Sequence, residues 1–106
     1  MGKFINPSVD AIFEGFAHES LTIGATEVSL PFASINPSGG EQVRRTVMTV
    51  ETDQIRYTYD GTTPTSTVGH IANVGDVITL NGYGNARRFL AIRTNTSATL
   101  KVTYER

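Results

Sequence analysis

The chain has no cysteine, so it can hold neither a disulfide scaffold nor a thiolate metal site, and its redox compartment is left open. Tryptophan is also absent and there are only 4 tyrosines, a poor starting stock for a flat sugar-stacking surface. Its longest apolar runs are a few residues, against the roughly 20 needed to cross a bilayer. The first residues, Met1 to Pro7, carry one lysine and no apolar stretch of signal-peptide length. Asn6 stands where a myristoylation signal requires Ser or Thr. The expectation is synthesis in a cytoplasm, without membrane contact.

What is present argues for a single domain. A chain of 106 residues buries roughly 65% of its unfolded surface, and 39% hydrophobic residues are enough for a thin core. Val, Ile, Thr and Tyr are plentiful and 10 glycines punctuate them, which favours short strands joined by tight turns. The alternation predicts strands at 16–23, 27–31, 43–51, 54–59, 69–72, 76–80, 87–93 and 98–104 at hairpin spacing. Their predicted core is Phe16, Leu21, Ile23, Val28, Leu30, Val47, Ile55, Tyr57, Val77, Ile78, Leu80, Phe89, Ala91, Leu100 and Val102. This many strands with regular turns reads as an all-β, two-layer β-sandwich of jelly-roll type over residues 16–106.

Residues 1–15 read as an arm or short helix. Asn6 can cap it, Pro7 suits its first position and Gly15 can close it. Val9, Ile12, Phe13 and Phe16 fall on one stripe, which must dock on something because so short a helix is marginal alone.

Candidate chemistry is thin. His18 and His70 have no metal-ligand spacing, and no serine lies in a nucleophile elbow. Glu51 and Asp53 could be imagined as a glycosidase pair, but they sit at a predicted turn. Gly82-Tyr83-Gly84-Asn85 lies between predicted strands, without the helix that would make it a phosphate cradle. No catalytic residue, cofactor or metal is expected.

The longest loop signal is Asp60-Gly61-Thr62-Thr63-Pro64-Thr65-Ser66-Thr67-Val68-Gly69-His70 after the alternating Ile55, Tyr57 and Tyr59. A polar, uncharged loop stiffened by proline suits contact better than catalysis.

The net charge of −1 gives no reason to expect nucleic acid, but its distribution is uneven. Residues 1–41 set one lysine against five carboxylates, a net of −4, whereas residues 42–106 set eight basic residues against five, a net of +3. Arg44-Arg45 and Arg87-Arg88 each open a predicted strand and start a faint internal echo. Arginine's planar donor set suits interface ion pairs. The candidate interface is therefore Phe4, Ile5, Val9, Ile12 and Phe13 on the arm, with Arg44, Arg45, Arg87 and Arg88 on the sheet, an acidic arm meeting a basic sheet between subunits.

Two resemblances enter here. The segment Tyr57 to Thr65 is similar to a strand-loop signature in the small β-sandwich accessory domains of chitobiase-like glycosidases. A broader pattern, Val47 to Glu51 leading into Ile55-Arg56-Tyr57, then Asp60 to His70, Val74 to Leu80, Phe89 to Thr94 and Ala98 to Tyr104, resembles small phage and prophage virion proteins. That resemblance implies a non-enzymatic capsid decoration or cement protein on the virion surface. Its partner would be the major capsid protein, and it would form a homo-oligomer, a trimer by analogy with shell proteins on three-fold positions. The first resemblance implies instead a carbohydrate-binding accessory domain.

Overall fold

The computed structural model describes residues 12–106. Eight strands and two short helices run in the order β1 (Gly15–Ile23), β2 (Val28–Ser29), α1 (Phe32–Ile35), β3 (Arg45–Glu51), β4 (Ile55–Thr58), β5 (His70–Ala72), β6 (Val77–Asn81), α2 (Tyr83–Arg88), β7 (Leu90–Arg93) and β8 (Ala98–Glu105). They form two four-stranded antiparallel sheets, ordered β1-β8-β3-β6 and β2-β7-β4-β5. The expected all-β sandwich is what the chain forms.

The pairing is nested: β1 lies beside β8, β2 beside β7, β3 beside β6 and β4 beside β5. Of the consecutive strands only β4 and β5 are neighbours, so every other connection carries the chain from one sheet to the other. The hairpin spacing in the sequence thus marks sheet-to-sheet crossings. The β3–β4 crossing takes three residues and holds Thr52 at φ 79°, a left-handed conformation unusual for a β-branched side chain.

Strand β8 shows why these residues make a sandwich. Ala98, Leu100, Val102 and Tyr104 are buried in strict alternation with Thr99, Lys101, Thr103 and Glu105. Direct partners share a face, so Leu100 opposite both Leu21 and Val50, and Val102 opposite Met48, build one apolar layer. The facing layer comes from Ile55, Ala72 and Ala91 in the other sheet and from Phe89 just before β7.

Some predicted core positions move. In β3 the buried phase is Thr46, Met48 and Val50, which leaves Val47 half-exposed on the outer face. Val77 is 61% exposed because β6 turns Ile78 and Leu80 inward. Phe16, Leu21, Val28 and Tyr57 pack against the core without being fully buried, while Ile35, Val43 and Tyr104 join it.

The predicted N-terminal helix does not extend through residues 12–15; its remainder, and the boundary of the arm, lie outside the described residues. Residues 12–14 are irregular, and Gly15 opens β1. Backbone pairing decides this, since Glu14 N–H donates to Arg106 O at 3.2 Å and Arg106 N–H to Glu14 O at 3.1 Å. Phe16 then packs at 6.3 Å from the Tyr104 ring. The predicted strand 87–93 is also shortened: α2 holds Arg87 and Arg88, and β7 begins only at Leu90. Buried Ala86 anchors that helix, and Asn85 Nδ2 donates to Asn81 O across its first turn.

Tyr104 is completely buried, and its hydroxyl donates to Glu19 Oε2 at 2.6 Å, an oxygen that also accepts from Ser34 Oγ at 2.7 Å. Burial, reinforced by Glu19, holds the phenol well above the ordinary tyrosine range. The folded chain therefore resists an ionisation that the unfolded chain undergoes near pH 10. This contribution to stability is whole below that pH and declines above it. Urea midpoints between pH 7 and 11 should show the decline, and Tyr104→Phe should flatten it while costing about 1–2 kcal/mol at pH 7. A second prediction concerns Thr46, which is fully buried and whose Oγ1 has no partner among the described residues. Thr46→Val removes an unsatisfied hydroxyl at nearly constant shape and should stabilise the fold by about 1 kcal/mol in chemical denaturation.

Candidate functional site

The long loop between β4 and β5 folds back over the outer face of β4. Ile55 and Tyr57 face the core side, so Arg56 and Thr58 point outward, beneath the loop. Thr58 Oγ1 donates to Thr62 O at 2.5 Å, and Arg56 donates through Nε to Ser66 O at 2.9 Å and through Nη1 to Gly69 O at 2.8 Å. The turn begins at Asp60, whose Oδ1 accepts from Thr62 N–H at 3.0 Å. It tightens again where Thr65 Oγ1 accepts from the N–H groups of Thr67 and Val68. Pro64 is buried. The loop is therefore held in one shape by its own polar groups.

Gly69 closes the loop. Its φ is +117°, and a Cβ there would lie 3.0 Å from Tyr57 O, so only glycine lets the chain pass this close to β4. The next residue, His70, pairs directly with Tyr57 and shares its face. The result is an aromatic series from core to surface. Phe89 lies 5.8 Å from Tyr57, Tyr57 lies 5.4 Å from His70, and His70 stacks at 5.8 Å and 21° on Tyr59. Tyr59 is 43% exposed.

These rings border two clefts. One, of about 480 Å³, is lined by Thr58, Tyr59, Asp60, Thr62, Val68, Gly69 and His70. The other, of about 300 Å³, lies between Tyr57 and Tyr59 and the residues of β6, with Asn85 at its rim. Thr62 donors, with Arg88 attracting from farther off, hold the Asp60 carboxyl below its usual range. Desolvation, with Tyr59 and Asp76 adding repulsion, pushes the Tyr57 phenol up. Two cations therefore act on this region: Arg88, at the end of α2, on Asp60, and Arg56 through the Gly69 carbonyl.

The sequence-predicted interface residues separate into three groups. Phe4, Ile5 and Val9 lie outside the described residues. Phe13, Arg44 and Arg45 come together, with the Arg44 and Arg45 guanidinium carbons 4.9 and 4.4 Å from the Phe13 ring centre. Arg45 also pairs with Glu105 of its own chain at 2.5 Å, and Arg106 covers Phe16 at 4.2 Å. A third cleft, of about 550 Å³, opens beside Phe13 and Arg44 towards Gly82 and Tyr83. Ile12 is 78% exposed. Arg87 and Arg88 are exposed in the last turn of α2, not at a strand mouth as the sequence suggested.

Elsewhere the polar groups serve the fold. Asp53 Oδ2 accepts from Thr96 N–H at 2.9 Å and Thr96 Oγ1 at 2.5 Å, which ties the β3–β4 crossing to the β7–β8 crossing. These bonds lower the Asp53 pKa. His18 Nδ1 sits 3.0 Å from Thr103 Oγ1. Among the described residues no three His, Asp or Glu side chains gather as metal ligands would. The Tyr57–Tyr59–His70 grouping escaped the sequence reading, although the Tyr57/Tyr59 alternation and the Gly69-His70 return were its visible signs.

Comparison with known proteins finds no matching family model, no matching curated protein and no matching solved structure.

The loop geometry yields a paired prediction. Gly69→Ala should cost about 2–3 kcal/mol, because the methyl meets Tyr57 backbone at an already strained φ. Gly61→Ala has a comparable φ of +89° but open space around it, and should cost only about 1 kcal/mol. Urea denaturation of the two variants checks the order.

Proposed function

We propose that this chain is a non-enzymatic phage virion protein that decorates a capsid and cements neighbouring shell subunits. The observation that carries the reading is the nested pairing of eight strands, β1 with β8 inward to β4 with β5. We read that winding as a jelly roll, an architecture widely used in viral capsid and lectin domains. The sequence resemblance to small virion proteins supports the same reading, since it spans most of residues 43–104. Fold alone does not assign function, so the surface must carry the rest.

That surface suits contact. Ile12, Phe32, Val74 and Val77 are large apolar side chains more than half exposed. Arg87 and Arg88 are exposed cations on a helix end, placed to meet acidic groups of a shell, with Arg88 Nε also donating to Gly84 O at 3.2 Å; Arg44 and Arg45 are engaged with Phe13. The partner is a major capsid protein, with the chain acting as a homo-oligomer, a trimer in the first instance. Binding that buries surface only on the assembled shell shifts assembly by mass action.

Mass spectrometry of purified particles should find the chain in fixed proportion to the capsid protein; its absence from particles sinks the proposal. Sedimentation of the free chain should give a trimer, and a monomer at all concentrations removes that part of it. A double charge reversal, Arg87→Glu with Arg88→Glu, should weaken attachment to shells by about tenfold or more while leaving the fold intact.

A further inference from the structure

The aromatic rim beside the 60–70 loop has no task in capsid bridging as described above. We propose that Tyr59 and His70, with Asp60 and Thr62, form a binding site for a neutral saccharide.

A pyranose offers an apolar C–H face and a rim of hydroxyls that both donate and accept. The cleft presents the complement. Tyr59 and His70 are near-parallel at 21° and 5.8 Å, and both are exposed, so they offer flat ring surface to an apolar face. Asp60 supplies an ionised acceptor, and Thr62 and Tyr59 supply hydroxyls on the same cleft wall. The cleft volume of about 480 Å³ falls within the ordinary range for small-ligand sites.

Two further observations favour a saccharide over other ligands. First, the loop wall is set before any ligand arrives: the Arg56, Thr58, Asp60 and Thr65 hydrogen bonds fix it, and Gly69 pins it to β4. A preordered wall lowers the entropy cost that makes weak polar ligands hard to hold. Second, both cations near the mouth are committed: Arg88 Nε donates to Gly84 O at 3.2 Å and acts on Asp60, the one carboxylate in the lining, while Arg56 donates to the Ser66 and Gly69 carbonyls. A phosphate-bearing ligand would need uncommitted cations there. The absence of tryptophan, which argued against sugar binding in the sequence, is offset by His70 brought alongside Tyr59 across a gap of eleven positions.

This inference goes beyond the capsid reading and does not rest on it. The full-length ¹⁵N-labelled chain is titrated with maltohexaose, cellohexaose, chitohexaose and mannohexaose, each to about 10 mM, a range that detects millimolar affinity. At least one should shift the amides of residues 58–62 and 68–70 together. Tyr59→Ala and His70→Ala should each weaken that binding roughly tenfold, with spectra that otherwise match the parent fold. Thr22→Ala, on the distant outer face of β1, should leave it unchanged. No shift at these residues with any of the four sugars overturns the proposal, as does binding that both ring variants leave intact. Shifts there from a proline-rich peptide and from no sugar would assign the rim to peptide contact and overturn it equally. None of these results involves particles, so they are separable from the virion test.

Discussion

The inward face of strand β8 holds the sandwich in register. The strand lies inside its sheet with the two longest pairings among the described residues, β1 along one edge and β3 along the other. Its four inward side chains are buried to 1% exposure or less, and they set which face of β1 and β3 turns inward. A one-residue slip would place Lys101 and Thr103 in the core and Leu100 and Val102 in water. The nested order follows outward from it: with β8 between β1 and β3, the short strands of the second sheet have only the opposite layer to fill.

The polar groups buried near that core are few and mostly paired. Glu19 enters from the edge strand and collects the hydroxyls of Tyr104 and Ser34, which joins β1, β8 and α1 through one carboxylate oxygen. At the opposite sheet, Arg56 does comparable work for the 60–70 loop by reaching two backbone carbonyls. In both places an ionisable side chain organises backbone or hydroxyl partners. Thr46 stands apart because nothing described meets its hydroxyl.

Much of the strand content was legible because alternation is local. Seven of the eight strands lie within about two residues of where alternation and turn residues put them, a usual margin for element ends. The eighth, β7, starts late because α2 takes Arg87 and Arg88. That helix was illegible for a plain reason: Gly84 and Asn85 are weak helix formers, and burial of Ala86 outweighs their preference. The phase of β3 was also open, since Val47 on one face competes with Met48 and Val50 on the other, and β8 decides between them. At the N-terminal end, the apolar stripe through Phe13 and Phe16 looked helical. Pairing of Glu14 with Arg106, 92 positions away, leads the chain into β1 at Gly15 instead.

The candidate site divides along the same line. A stiff polar loop after two alternating tyrosines, a chain without thiol chemistry and an uneven distribution of charge were all readable locally. These are properties of composition and near neighbours. That Arg44 and Arg45 meet Phe13 of the same chain, that Arg87 and Arg88 ride on a helix, and that His70 stands against Tyr59 emerges from long-range packing. Each of those depends on which strands lie side by side, and pairing between distant segments is chosen by the burial of whole faces, a sum over residues that no local window contains.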